Sequence, residues 1–156
     1  RWAAAGGPGP DPGGHPGRPG APVRRGGGAG AIPGRKCLLI GRRGDWPGRG
    51  TFEWMGAQGM RWQLMGELLD GGVESVIDQA IAEALDGPEF IYLSVDIDVL
   101  DPGFAPGTGT HEPGGMQPAD PLRAIRQSGL PTNLVEMAVV ADSPAYERDE
   151  TTARTA

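Results

Sequence analysis

The sequence is poor in cysteine and in long apolar runs. Cys37 is the only cysteine among 156 residues, which excludes an internal disulfide and a cluster of thiolate metal ligands. It lies in the apolar run "KCLLIG", so we interpret it as a small core residue. No apolar run approaches the roughly 20 residues that span a bilayer, and the first residues lack the apolar core of a secretory signal. We therefore expect a cytoplasmic protein without a membrane partner.

Glycine, proline and charge divide the chain into two unlike parts. Residues 1–34 contain 12 Gly and 7 Pro, a composition that is typical of low-complexity, disordered segments. The first 36 residues carry six basic groups and one acid, so the net charge of -6 divides into about +5 on this head and -11 on the body. An acidic body argues against nucleic acid as a partner, because phosphate binding needs clustered Lys and Arg. We interpret the head as a solvated tail, although its basic groups leave RNA or acidic lipid as an alternative.

Apolar periodicity in residues 35–156 predicts alternating strands and helices. Residues 73–85 repeat at helical spacing, and residues 90–100 are apolar at nearly every position, as in a strand that is covered on both faces. The stretch "FEWMGAQGMRWQLM" fits a helix that Gly56 and Gly59 interrupt. Two further strands are predicted at residues 36–40 and 133–140, and a short helix at residues 118–127. This order predicts an α/β fold with three layers, α/β/α, and a mostly parallel sheet.

Two aspartates lie near the end of the predicted buried strand. Residues i and i+2 of a strand share a face, so Asp96 and Asp98 are expected to point to one spot. The carboxyl ends of parallel strands are where α/β proteins bind ligands, and a divalent cation would stabilise both carboxylates as anions. The alternative is that they bind only backbone amides or basic side chains. A calcium-binding EF-hand loop is excluded, because Leu100 stands where an oxygen ligand is needed.

The stretch "SVDIDVLDPGFAPGTGTHEPGG" resembles the signature of the ureohydrolases, the family of arginases, agmatinases and guanidinobutyrases. In that signature a serine, three spaced aspartates, a proline and a TGT loop occur in this order. The segments "CLLIGRRGDWPG" and "SPAYERDETTARTA" resemble the agmatinase branch. The resemblance covers residues 35–156, which correspond to the C-terminal part of a ureohydrolase domain, and it implies a partial arginase-like fold.

The resemblance also implies an activity. Ureohydrolases hold two Mn²⁺ ions, which lower the pKa of bound water and so provide a nucleophile for the unreactive guanidinium carbon, and they release urea. Asp96 resembles the carboxylate that bridges both ions, Asp98 a terminal ligand, and Thr110 a loop threonine that lines the substrate pocket. Asp101 is expected to fix the loop, and His111 stands where the family usually has proline; no catalytic residue is assigned. The implied partners are a linear guanidino substrate, agmatine or guanidinobutyrate, and further copies of the chain.

The departures from the family pattern leave a second interpretation open. The other family ligands come from a Gly-Gly-Asp-His and an Asp-x-His-x-Asp stretch, and neither occurs here, so the binuclear site is incomplete. Ala141 stands where an acid binds the substrate guanidinium, and the neighbouring acids Glu136 and Asp142 are displaced from that position. The alternative to an active hydrolase is therefore a non-catalytic fragment or pseudoenzyme of the same family, which a truncated, frameshifted or decayed gene copy would produce.

Overall fold

The computed structural model describes residues 33–44, 48–129 and 134–156. The predicted disordered head, residues 1–34, lies outside these ranges except for its last two residues. Within the described ranges the chain forms four strands, β1 (Leu38–Arg42), β2 (Arg61–Leu64), β3 (Ile91–Asp96) and β4 (Leu134–Val140). The same ranges contain five α-helices, α1 (Arg49–Ala57), α2 (Met65–Gly71), α3 (Val73–Ala84), α4 (Ala119–Gly129) and α5 (Thr151–Thr155). Among these helices none combines the length and the hydropathy of a membrane span.

All strand pairs in the described residues are parallel, as the sequence predicted. β1 pairs with β2, and β3 pairs with β4, which gives two sheets of two strands each. In the second sheet Leu93 lies beside Met137 and Val95 beside Val139. The α/β class is confirmed, while the described strands form two sheets where the sequence suggested one.

Two of the predicted elements differ from the structure. The predicted helix through residues 52–65 is wrong in its second half, because α1 ends at Ala57 and the chain continues as β2. Gly59 makes the turn between them at a φ of +71°, a conformation that glycine adopts without a steric penalty. The predicted strand 90–100 is also too long, since β3 ends at Asp96 and a 3₁₀ turn, Ile97–Val99, follows.

The buried core lies beside this turn. Six buried residues form one cluster that joins α2, the 3₁₀ turn and the loop after it: Met65, Leu68, Ile97, Leu100, Ala105 and Met116. Ile40 and Val99 pack against the cluster from β1 and the turn. Gly41 allows this approach, because a Cβ there would come within 2.7 Å of Val99 Cγ2. Apolar packing against this cluster therefore fixes the segment that follows β3.

Candidate functional site

Asp96 and Asp98 lie together at the carboxyl end of β3. Asp96 is the last residue of the strand, and Asp98 is the middle residue of the 3₁₀ turn. The backbone N–H of Asp98 donates to Oδ1 of Asp96 at 3.4 Å, so the Asp96 carboxylate caps the turn that ends the strand. The expectation that both acids share one face of a strand is wrong, because Asp98 is no longer in the strand. The turn nevertheless keeps the two carboxylates adjacent.

The environment of Asp96 disfavours its charged form. Burial, followed by the neighbouring Asp98 charge, raises the pKa of Asp96 to about 7. Two adjacent carboxylates repel each other, and desolvation weakens the hydration of the anion. The pair is thus a site at which a bound cation would be favourable, since a positive charge stabilises both carboxylates as anions.

Thr110 is brought to the same place by the loop that follows β3. Its Oγ1 donates a hydrogen bond to Oδ2 of Asp98. The three site residues predicted from the sequence therefore form one cluster, and their roles as metal ligands and substrate contact stay predictions. His111 is exposed; one ring nitrogen lies 2.7 Å from the Pro106 carbonyl oxygen and its ring stacks edge-on to Tyr146.

Asp101 fixes the turn after the acidic pair. Its carboxylate accepts hydrogen bonds from the backbone N–H groups of Gly103 at 2.9 Å, Gly114 at 2.8 Å and Gly115 at 3.2 Å. These bonds, that of Gly103 first, lower the pKa of Asp101. The prediction that Asp101 has a structural role in the loop is confirmed.

Two arginines that the sequence analysis did not assign to the site lie beside it. The Arg43 guanidinium donates to the carbonyl oxygens of Asp98 at 2.7 Å and Leu100 at 3.0 Å, and to that of Glu112 at 2.7 Å. A further bond of 3.3 Å reaches the carbonyl of Val99, so one side chain joins the 3₁₀ turn to Glu112, which follows the TGT loop at residues 108–110. The only sequence signal for this role is the Arg-Arg-Gly stretch at the end of β1.

Arg42 adds a positive charge near the pair. Burial lowers the pKa of its guanidinium, and attraction to the Asp98 carboxylate opposes that effect. Its guanidinium also lies over the Phe52 ring, 5.0 Å from the centroid. Arg42 therefore offsets part of the negative charge at the carboxyl end of β3.

The C-terminal segment closes against the TGT loop. The buried Thr152 Oγ1 accepts a hydrogen bond of 2.7 Å from the Gly107 N–H and donates one of 3.0 Å to the Glu147 carboxylate. The Ser143 N–H donates to the Gly107 carbonyl at 2.7 Å. Gly107 is required here, because a Cβ would lie 2.8 Å from Thr152 Oγ1. This clasp, formed by Gly107, Glu147 and Thr152, tethers the chain end to the loop that carries Thr110.

The chain departs from the family pattern near β4, where the pattern places an acid that contacts the substrate. Ala141 follows β4 in a left-handed conformation, with φ of 68°, and is exposed. The acids on either side, Glu136 on β4 and Asp142 after it, are exposed as well. Ala141 thus has only a methyl side chain where the family pattern has an acid, and it offers no negative charge to a guanidinium group.

The acidic pair does not fit a two-ion centre by itself. In residues 33–44, 48–129 and 134–156, no group of three or more His, Cys, Asp or Glu side chains converges in a way that could hold a metal ion. A Mn²⁺ ion needs about six oxygen or nitrogen ligands, and two carboxylates supply only a fraction of them. Any two-ion site would need ligands from outside the described residues.

A cavity of ≈ 270 Å³ lies elsewhere in the described part of the chain. It is an open pocket between β1, β2 and α3, with Leu38, Trp62, Val76 and Glu83 among its lining residues. Neither Asp96 nor Asp98 lines it, and the side chains of Arg61 and Glu83 form an ion pair beside it. We interpret it as a gap in the packing between the sheet and the helix.

Comparison with known sequences finds agmatinases among the proteins similar to this chain. The agmatinase of Chromobacterium violaceum is 37% identical over 124 residues, which are 80% of this chain and 35% of that protein. The agmatinase of Escherichia coli is 46% identical over 85 residues, which are 54% of this chain and 26% of that protein. The chain therefore spans about a third or less of the length of these relatives.

Comparison with solved structures agrees with the sequence comparison, since related hydrolases superimpose on most of this chain. Proclavaminate amidino hydrolase from Streptomyces clavuligerus superimposes with a TM-score of 0.75 at 32% identity, over 87% of this chain and 43% of that one. Formimidoylglutamase from Bacillus subtilis gives a TM-score of 0.84 at 25% identity, over 87% and 42%. The predicted partial arginase-like fold is thereby confirmed. The sequence profile described as the arginase family matches residues 10–156, and the chain therefore belongs to the arginase family.

Proposed function

We propose that the chain contributes the C-terminal part of an agmatinase-type ureohydrolase, which hydrolyses a linear guanidino compound to urea and an amine with the help of Mn²⁺. Agmatine and 4-guanidinobutyrate are the substrates we favour, because the relatives at 37% and 46% identity are agmatinases. The proposal locates the chemistry at the carboxyl end of β3.

One observation carries this proposal: Asp96, Asp98 and Thr110 form a cluster there. The Asp98 carboxylate accepts from Thr110 on one side, and Asp96 accepts from the Asp98 backbone on the other. Asp96 and Asp98 would each offer a carboxylate to Mn²⁺, and Thr110 would orient Asp98. Arg43 and Asp101 hold the backbone on which these groups lie. The remaining side-chain ligands for Mn²⁺ would come from outside the described residues.

Urea release tests the proposal directly. The full chain is incubated with Mn²⁺ and millimolar agmatine or 4-guanidinobutyrate, alone and together with the part of the Chromobacterium violaceum agmatinase that has no counterpart here. We expect urea above the metal-only blank, its loss in Asp98→Ala, and its retention in Asp70→Ala, which changes an exposed acid on α2. Absence of urea under both conditions would refute the activity.

A second candidate function is a non-catalytic member of the family. The observation that favours it is the lack of a third metal-binding side chain beside Asp96 and Asp98 in the described residues. It predicts one weak Mn²⁺ site that Asp98→Ala removes, with no urea release. Calorimetric titration of the full chain with Mn²⁺ tests this, and two tight sites would contradict it.

A further inference from the structure

The end of β1 lies against the 3₁₀ turn that carries Asp98. Gly41 approaches this turn so closely that a Cβ would come within 2.7 Å of Val99 Cγ2. Arg43 donates to the Asp98 carbonyl at 2.7 Å and to the Val99 carbonyl at 3.3 Å. Arg42 stands between these two residues and is the last residue of β1. Its side chain therefore starts next to the turn that carries Asp98.

The Arg42 guanidinium is held on an aromatic surface. It lies over the Phe52 ring, 5.0 Å from the centroid, and the Phe52 ring packs edge-on against that of Trp62 at 5.3 Å. Arg42 is only partly exposed. A guanidinium keeps its positive charge in proteins, and stacking on an aromatic ring restricts where that charge can move. Arg42 thus places a permanent cation near the carboxyl end of β3.

The two neighbouring arginines act on different parts of Asp98. The nitrogens of the Arg43 guanidinium donate to backbone carbonyls, those of Asp98, Val99, Leu100 and Glu112. Burial lowers the pKa of the Arg42 guanidinium, and the charge that opposes this effect is the Asp98 carboxylate. Arg43 therefore fixes the backbone of the turn, while Arg42 faces the charge of the Asp98 side chain.

The Asp98 carboxylate can be neutralised by a bound metal ion or by Arg42, and the second of these cations is part of the chain. In the described ranges no third His, Cys, Asp or Glu side chain converges with Asp96 and Asp98 to hold an ion. A metal ion at the pair would also have Arg42 as a neighbour, and two positive charges in a partly buried site repel each other. The shortage of ligands and the nearby guanidinium thus both disfavour a bound metal ion.

We infer that Arg42 is the counter-ion of the Asp98 carboxylate and that it competes with any divalent cation that binds to the acidic pair. A bound ion would have to share Asp98 with Arg42 or displace Arg42 from it. Repulsion by a fixed unit charge in a partly buried site corresponds to roughly a tenfold change in a binding constant. Arg42 therefore lowers the affinity of this chain for metal ions. The inference rests on the proposed function only for the position of the ion, at Asp96 and Asp98.

A double-mutant cycle on chelator-treated full chain tests the pairing. Arg42→Met removes the charge and keeps an apolar side chain, and Asp98→Asn removes the carboxylate charge. We expect Arg42→Met to raise the unfolding equilibrium constant about tenfold in the original chain and about threefold or less in Asp98→Asn, where the charge pair is already broken. The lost contact with Phe52 is common to both backgrounds and cancels in the comparison. Arg49→Met, which removes an exposed arginine on α1, is the control and should have the same effect in both backgrounds.

Calorimetric titration of the full chain with Mn²⁺ alone tests the competition. Arg42→Met should bind Mn²⁺ about tenfold more tightly than the original chain, because the repelling charge is gone. Arg42→Gln is a second neutral variant and should behave in the same way, whereas Arg42→Lys keeps the charge and should bind like the original chain. Arg49→Met changes the net charge by the same amount at a solvent-exposed position, and should alter the affinity by about twofold or less because salt screens that charge.

Several results would overturn the inference. One is an equal effect of Arg42→Met in the two backgrounds of the cycle. Another is Mn²⁺ affinity that does not rise in the neutral variants of Arg42, including the absence of any binding. A similar rise in Arg49→Met would show that net charge and not Arg42 sets the affinity. Neither measurement involves urea, so a chain that shows both effects but releases no urea would refute the proposed function and leave the pairing of Arg42 with Asp98 intact.

Discussion

At the scale of single residues, Asp96 should make the stability of the metal-free chain depend on pH. Its pKa is raised to about 7 in the folded state, by burial and by Asp98. Below about pH 4 both the folded and the unfolded state are protonated at this position, so it contributes no penalty. As the pH rises from about 4 to 7 the unfolded state ionises first, and the free energy of unfolding falls until the pH passes the folded pKa.

Asp96→Asn removes this ionisation and should flatten that part of the pH profile. The measurement is urea unfolding of chelator-treated protein at several pH values. The free energy of unfolding of the variant is subtracted from that of the original chain at each pH, because groups that titrate in both proteins cancel in this difference. Asp70→Asn serves as the control, since Asp70 is exposed on α2. A profile of the Asp96→Asn variant that parallels the original chain would show that Asp96 is not the source of the dependence.

Removal of Arg43 should destabilise the chain more than removal of the exposed Arg49. Its guanidinium donates to the carbonyl groups of Asp98, Val99 and Leu100 in and directly after the 3₁₀ turn, and to that of Glu112 after the TGT loop. We expect Arg43→Ala to lower the free energy of unfolding by about 2–3 kcal/mol, because charge-assisted bonds to part-buried carbonyls are lost together. Arg49→Ala, which breaks only an exposed pair with Glu53, should cost about 0.5 kcal/mol or less by chemical denaturation. Equal effects of the two variants would contradict the anchoring role.

At the scale of elements, the clasp should determine how firmly the C-terminal segment is held. Thr152→Val keeps the shape of the side chain but removes the oxygen that accepts from the buried Gly107 N–H. Leaving that donor unpaired should cost about 1–3 kcal/mol of unfolding free energy. Thr151→Val, on the exposed neighbour in α5, is the matched control and should change it by less than about 0.5 kcal/mol. Circular dichroism during thermal unfolding gives both values.

The elements that sequence analysis predicted well are those with a strong local pattern. Helix α3 was predicted as residues 73–85 and is observed at Val73–Ala84, because its apolar stripe faces the core through Val73 and Val76. Strand β2 was missed, because its polar–apolar alternation covers only four residues and its apolar side chains also fit the helical spacing that begins in α1; the segment forms a strand by pairing with β1. Tertiary pairing overrides local propensity in such short segments.

The candidate site shows the same division between local and non-local information. Asp96, Asp98 and Thr110 were found because they lie in one continuous motif, and the loop closes Thr110 back onto Asp98. Arg43 is 55 residues before Asp98, and nothing in the local sequence distinguishes it from its neighbour Arg42. The turn at Asp98 was also missed, because part of what holds it is not local: besides the bond from the Asp98 N–H to Asp96, Arg43 donates to the Asp98 carbonyl.

At the scale of the whole molecule, burial is concentrated on one side of the site. The core cluster joins α2 to Ile97 and Leu100, which flank Asp98 in sequence, while β4 exposes most of its side chains. The acidic pair therefore lies between a packed region and an unpacked sheet. Because Ile97 and Leu100 are buried, the position of the Asp98 backbone depends on the core cluster that contains them. A cavity in this cluster should therefore lower the free energy of unfolding of the whole fold.

Leu68 tests this dependence, since its side chain is fully buried in the cluster and its neighbour Leu69 on α2 is 55% exposed. Leu68→Ala should lower the free energy of unfolding by about 2–5 kcal/mol, from the lost apolar burial and the cavity left behind. Leu69→Ala has the same change in composition and helix propensity, and should cost about 0.5 kcal/mol or less because its side chain already contacts water. Denaturant titration of both variants measures the difference, and similar losses would mean that the cluster is not the core of the chain.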